Sequence, residues 1–203
     1  MKLKFCGLTR EADIEAANET GPDYIGFVFA ESRRRVSDLD AARFKARLDP
    51  AIQAVGVFVN DTPEHIAALA GEGIIAFAQL HGDEDARVIE RLRRLTDVPL
   101  IKAVRVKTRA DIERALALPV DYLLLDTYVG HAYGGSGKAF DWSLIGDIPK
   151  PYFLAGGLRA ENLEQALQTG AYALDLSSGI ETNGVKDPAK MRAVAERVRS
   201  GRP

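Results

Sequence analysis

At 203 residues, 46% hydrophobic and 28% charged, the chain has the composition of a globular domain and not of a disordered segment. A formal net charge of −2 and a pI near 6.0 give no bulk attraction to nucleic acid or to an anionic membrane. The longest charge-free apolar runs, residues 24–30 and 73–81, fall well short of the ~20 residues that a spanning helix needs. The N-terminal Met-Lys-Leu-Lys-Phe-Cys is too short in apolar residues for a secretory signal. A single cysteine excludes an intrachain disulfide and a cysteine-cluster metal site, which suits a reducing cytoplasm. The expectation is one cytoplasmic enzyme domain over residues 1–203.

In chain order, short apolar runs predict strands at residues 3–6, 24–29, 54–59, 75–80, 100–104, 122–126, 152–155 and 173–177. They show little alternation, as strands buried on both faces of a parallel sheet do. Apolar residues spaced three and four apart predict helices over 10–19, 63–70, 85–95, 109–116, 160–168 and 188–199. Thr62-Pro63 and Thr108 read as helix starts, and Gly21, Gly71 and Gly170 as helix ends. A doubly wound open sheet would carry a glycine-rich first turn, but Cys6-Gly7-Leu8-Thr9 lacks Gly-x-Gly-x-x-Gly. Eight strand–crossover repeats instead predict a closed, single-domain (β/α)8 TIM barrel with eight parallel strands.

Such barrels react at the carboxyl ends of their strands, which nominates Cys6, Phe29, Asn60, His81, Arg105, Asp126, Gly156 and Ser177-Ser178. The last two loops are small and rich in glycine, so backbone N–H groups around Gly156, Gly157, Ser178 and Gly179 could hold a phosphate. A tight strand-to-helix turn is the plainer alternative at Gly156-Gly157. Residues 128–138 hold four glycines, two tyrosines and a lysine, a composition suited to a lid. The lysine there lacks Walker spacing, so nucleotide binding is not expected.

Cys6 and Asp126 form the candidate base and acid. A helix starting near Thr9 or Arg10 would lower the thiol from its usual pKa of about 8.5. Apolar Leu123, Leu124 and Leu125 would favour a protonated Asp126. An inert buried thiol and a helix cap are the structural alternatives. Arg33-Arg34-Arg35 would bring a cation to an anionic substrate, unless it is only a solvated face. His81 could donate a hydrogen bond to substrate or be structural. Lys102 could form a Schiff base if it faces the barrel interior, and is irrelevant if it faces the helices.

Taken in order, Lys4-Phe5-Cys6-Gly7-Leu8-Thr9, Gly26-Phe27-Val28-Phe29, Ser32-Arg33-Arg34-Arg35-Val36-Ser37, Gly56-Val57-Phe58-Val59-Asn60 and Gln79-Leu80-His81-Gly82 resemble the phosphoribosylanthranilate isomerase family. So do Leu124-Leu125-Asp126-Thr127, Gly134-Gly135-Ser136-Gly137-Lys138, Phe140-Asp141-Trp142, Ala155-Gly156-Gly157-Leu158 and Asp175-Leu176-Ser177-Ser178-Gly179. The resemblance spans nearly the whole chain. It implies a step of tryptophan biosynthesis, the Amadori rearrangement of N-(5-phosphoribosyl)anthranilate. It also implies Cys6 as general base, Asp126 as general acid and Arg34 as the partner of the anthranilate carboxylate. No cofactor or metal is implied. The expected partner is a phosphorylated small molecule, with no nucleic acid or membrane, and the barrel is a monomer or homodimer. Residues 128–133 are the part least like the family.

Three alternatives stand beside this reading. A related aminoaldose isomerase of histidine synthesis would carry an aspartate at Cys6 and a second phosphate seat, for which Val59-Asn60-Asp61 and His81-Gly82-Asp83 are poor matches. A Schiff-base lyase would be built on Lys102. A catalytically dead phosphosugar-binding barrel would not need both Cys6 and Asp126.

Overall fold

The computed structural model describes residues 1–127 and 140–201. Strands β1 (Lys2–Cys6), β2 (Tyr24–Val28), β3 (Gln53–Phe58), β4 (Phe77–Leu80), β5 (Leu100–Val106), β6 (Tyr122–Thr127), β7 (Tyr152–Leu154) and β8 (Ala173–Leu176) close into one barrel in chain order. All neighbouring pairs are parallel, and β8 returns to β1 with Asp175 opposite Lys4. Helices α1 (Glu11–Thr20), α2 (Asp38–Arg47), α3 (Pro63–Gly71), α4 (Ala86–Arg93), α5 (Arg109–Leu116), α6 (Leu163–Leu167) and α7 (Pro188–Ser200) cover the outside. This is the (β/α)8 barrel that the repeat predicts. Among the described residues, no helix is long and apolar enough to cross a membrane.

Each strand feeds two cores, which is why its sequence is apolar without alternation. Ile101, Ala103, Leu124, Phe153 and Ala173 pack inside the barrel, while Leu100, Val104, Leu123, Leu125 and Leu154 pack against the helices. At the amino ends of the strands, Tyr24, Phe77, Tyr122, Phe153 and Tyr172 meet at ring-centroid distances of 5.1–6.1 Å. These contacts are edge-to-face or tilted and fill the floor with rings. The Tyr24 and Tyr172 hydroxyls share a hydrogen bond of 2.8 Å. With the floor packed, the space for a ligand lies at the carboxyl ends.

Helix ends follow local chemistry. Thr62 accepts the His65 N–H to start α3, and Gly21 closes α1 in the left-handed conformation at φ 56°. Four features differ from the sequence reading. The helix α2 has no counterpart in it, because only Ala41 and Phe44 of its ten residues are buried. Two anchors make no periodic pattern; the start comes instead from Ser37, whose hydroxyl accepts the Asp40 N–H. The predicted helix 160–168 is a 3-10 turn, Ala160–Asn162, followed by five residues of α6. Between β6 and β7 the described residues hold a 3-10 turn, Trp142–Leu144, capped by Asp141. After β8 a 3-10 turn, Ser178–Ile180, leads into a hairpin of β9 (Glu181–Thr182) and β10 (Val185–Lys186). Strand limits shift by a residue or two. The expected lid over 128–138 lies outside the described residues.

Candidate active site

Strand periodicity aims Cys6 inward. On β1, Lys4 and Cys6 take alternate positions and both face the barrel interior, where Lys4 meets Asp175. Gly26 of β2 lies beside Cys6, and a Cβ there would sit 2.7 Å from the sulfur. The thiol is therefore packed against backbone. It looks into a cavity of about 340 Å³ at the carboxyl end of the barrel, whose walls include Cys6, Arg34, His81, Asp126, Gly156 and Asp175. Gly157 and Ser178 line it too.

The thiol sits among charges. Burial pushes its pKa up; the Lys4 and Lys186 ammoniums pull it down, Asp175 pushes it up, and the net result is a raised value. The lowering expected from a nearby helix start does not occur. Burial is the largest cause; the first turn of α1 also keeps its own anion, with Asp13 accepting the Thr9 and Arg10 N–H groups at 2.9 and 3.1 Å. Those donors are spent inside the helix start.

Across the cavity, Asp126 ends β6. One carboxyl oxygen accepts the Thr127 N–H at 2.7 Å, and the other lies 3.4 Å from His81 Nε2. The Gln79 side-chain amide lies 2.8 Å from His81 Nδ1, a hydrogen bond that orients the ring beside Asp126. Among the described residues, His81 Nε2 and Asp175 Oδ1 are buried without a hydrogen-bond partner. Both belong to side chains that line the cavity, so both are free to bind a ligand. Gly156 (φ 79°) and Gly157 (φ 67°) are left-handed in succession, and a Cβ on Gly156 would lie 2.4 Å from Thr127 Oγ1 and 2.7 Å from Asp126 Oδ1. Only glycine lets that turn press against the carboxyl.

Of the three consecutive arginines, Arg34 lines the cavity. Its side chain lies over Gly7, where a Cβ would approach it to 2.4 Å. Arg34 donates in bidentate fashion to Glu181, Nε to Oε1 at 2.7 Å and Nη2 to Oε2 at 3.0 Å. Arg33 and Lys186 join the same carboxylate at 2.7 and 2.8 Å. Burial opposes charge on Glu181, but the hydrogen bonds from Arg34 and Lys186 outweigh it and hold its pKa below the usual range. Arg35 points away and pairs with Glu31.

Other nominated residues serve the walls. Asn60 is left-handed at φ 53° and its side chain accepts the Asp83 N–H, tying two loops together. Phe29 stacks on Phe58 in the core. Arg105 pairs with Asp83 at 2.8 Å. Gly179 packs its Cα on the neighbouring loop, where a Cβ would be 1.9 Å from the Leu158 carbonyl oxygen. Lys102 faces the helices, with Leu100 and Val104, and binds Glu84 at 2.6 Å and the Gly82 carbonyl at 2.7 Å. It is a structural clamp, since Glu84 also accepts the Asn60 and Gly82 N–H groups. Lys102→Met is expected to lower stability by about 3–5 kcal/mol, the cost of stranding a buried partner. Calorimetry checks this, and borohydride with a ketose phosphate should trap no adduct on the parent chain.

Fold and site together define a (β/α)8 barrel with a cavity at the carboxyl ends of its strands, lined by a thiol, carboxyl groups and an imidazole. The family described as N-(5'phosphoribosyl)anthranilate (PRA) isomerase matches residues 3–197. A curated N-(5'-phosphoribosyl)anthranilate isomerase of Endomicrobium trichonymphae is 46% identical over 200 residues, covering 98% of each chain. The crystal structure of phosphoribosyl anthranilate isomerase from Thermus thermophilus superposes with a TM-score of 0.88 at 37% identity over 100% of both chains. A solved phosphoribosyl anthranilate isomerase in complex with reduced 1-(o-carboxyphenylamino)-1-deoxyribulose 5-phosphate has a TM-score of 0.83 at 34% identity, covering 98% of this chain and 99% of its own. The chain belongs to the phosphoribosylanthranilate isomerase family and is an isomerase of tryptophan biosynthesis.

Proposed function

We propose that Cys6 and Asp126 carry the two proton transfers of the family's Amadori rearrangement, which converts N-(5-phosphoribosyl)anthranilate to 1-(2-carboxyphenylamino)-1-deoxyribulose 5-phosphate. The observation that carries this reading is their placement on facing walls of one cavity, at the ends of β1 and β6. Asp126 protonates the ribose ring oxygen, and the anilino nitrogen's lone pair opens the ring to a protonated Schiff base. Cys6, as thiolate, then takes the proton from C2, and the C–H electron pair forms the enolamine. Tautomerisation moves the hydroxyl proton at C2 to C1 and leaves the ketone. The enzyme resets by net return of one proton from Cys6 to Asp126. Each positioned group supplies about 10²–10⁴-fold.

Binding follows from the walls. Successive left-handed glycines at Gly156-Gly157, with Ser178 on the adjacent loop lining the same cavity, support a seat for the phosphate. Arg34, on the wall of the same cavity, offers a guanidinium to the anthranilate carboxylate. His81 Nε2 and Asp175 Oδ1 are the groups we assign to the sugar hydroxyls. We also place the enzyme in the cytoplasm, where a base thiol stays reduced. Turnover of freshly generated phosphoribosylanthranilate tests the function, and Arg34→Met tests the binding assignment. That variant is expected to raise KM about 10- to 100-fold, the worth of hydrogen bonds to a charged group. An unchanged KM would remove Arg34 from substrate binding, and no turnover by folded parent protein would overturn the function.

A further inference from the structure

Lys4 is fully buried, with 0% exposure, in a barrel interior otherwise built from Ile101, Leu124, Phe153 and their neighbours. Its ammonium pairs with Asp175 Oδ2 at 3.0 Å, across the β1–β8 closure. Such a pair adds little stability, because desolvating two charges costs about what their attraction returns, and apolar side chains of similar volume do as well or better. Stability therefore gives no reason for a lysine at this position. Position does: Lys4 stands two residues before Cys6 on the same face of β1, and its charge acts on the thiol as well as on Asp175. Burial works against the Lys4 charge, but Asp175 and Cys6 more than offset it and its pKa is raised. The lysine stays an ammonium.

We propose that Lys4 is a positioning residue for the proton-abstracting thiol, held by Asp175 as the counter-cation of the Cys6 thiolate. The proposal rests on the reading of Cys6 as base. The groups facing the thiol are Lys4 from β1, Asp175 from β8 and Lys186 from β10; Arg34 lies over Gly7 after β1, and His81 and Asp126 line the far side of the cavity. Lys186 is the weaker counter-cation. Burial lowers its pKa, and its ammonium is shared among Glu181, the Ser177 carbonyl and the Ser177 hydroxyl at 2.8, 3.0 and 3.3 Å. Lys4 has one carboxylate partner besides the thiol. That same carboxylate opposes the thiolate directly, so Lys4 and Asp175 push Cys6 in opposite directions.

This opposition supplies the test. Cys6 is the only cysteine in the chain, so iodoacetamide reports it alone. Alkylation rate is measured against pH for the parent, Lys4→Met and Asp175→Asn, beside the pH profile of kcat/KM. In Lys4→Met the thiol midpoint should rise, with alkylation at neutral pH about tenfold slower, the effect of one pH unit of titration. The acid limb of kcat/KM should rise with it. In Asp175→Asn, which keeps an oxygen for Lys4, the alkylation midpoint should fall. A merely structural role would move both variants the same way, or neither, and either result overturns the proposal. If Lys4→Met does not fold, Lys4→Gln, which keeps a hydrogen-bond donor for Asp175, takes its place, and an unchanged or lowered midpoint overturns the proposal. Alkylation needs no turnover, so a parent chain that shows the shifts without converting substrate would sink the functional reading and leave the thiol's pairing intact.

Discussion

Asp126→Asn is expected to lose about 10²–10⁴-fold in kcat with little change in KM or melting temperature. The amide has nearly the shape of the carboxyl, and its oxygen can still accept the Thr127 N–H that Asp126 takes at 2.7 Å. What disappears is the proton that the ring oxygen needs to leave C1. His81 Nε2 lies 3.4 Å from the second Asp126 oxygen with no hydrogen bond between them, and the Gln79 amide contacts Nδ1, so removing Gln79 touches the imidazole and not the acid. Gln79→Leu on its own should therefore affect turnover far less than Asp126→Asn. Steady-state kinetics on both variants decide the assignment: a kcat for Asp126→Asn within a few-fold of the parent would mean that the ring proton comes from elsewhere, with His81 the nearest donor.

The barrel is readable from the sequence because parallel strands buried on both faces leave a continuous apolar record. Leu123, Leu124 and Leu125, three leucines in a row, cannot be placed on one face, and that is the point. The rule that chemistry sits at strand ends then picks out Cys6, His81, Asp126, Gly156, Gly157 and Ser178, which the structure brings to one cavity. Arg34 is singled out by position and by Gly7, whose missing Cβ leaves it room. Gly179 follows the same rule and packs against Leu158 of the neighbouring loop.

What stays hidden depends on closure. Lys4 is visible two residues before Cys6, so a period of two already puts both on one face. Its partner Asp175 becomes apparent only when β8 joins β1, 171 residues away in sequence. Glu181 and Lys186 depend on the hairpin after β8, and that hairpin did leave a signal. Asn183-Gly184, both with positive φ at 53° and 80°, is the dipeptide of a type I′ turn. Its strands are two residues each, too short to show alternation. The missing pattern at α2 has the opposite cause, a helix held by its cap and by Phe44 against Phe27 rather than by an apolar stripe.

Cys6→Ala is expected to abolish most turnover, with kcat down about 10²–10⁴-fold and substrate still bound. Cys6→Ser should do no better. The hydroxyl fits the space against Gly26, but it is far too weakly acidic to stand as an anion at neutral pH. The pH dependence gives the sign of the argument. Burial raises the thiol despite Lys4 and Lys186, so in the free enzyme the base form grows as pH rises through and beyond the ordinary thiol range. kcat/KM should climb over that same interval, since it reports groups of the free enzyme. The bound Schiff base changes the balance. Its cation lies one carbon from the proton to be removed and favours a thiolate beside it, so the limb seen in kcat should lie at lower pH than the limb in kcat/KM. In Cys6→Ser both limbs should vanish from the residual rate. Profiles of parent and variant measured side by side decide it. A Cys6→Ala enzyme that keeps the parent's kcat and limb would transfer the base role to another group at the mouth of the barrel.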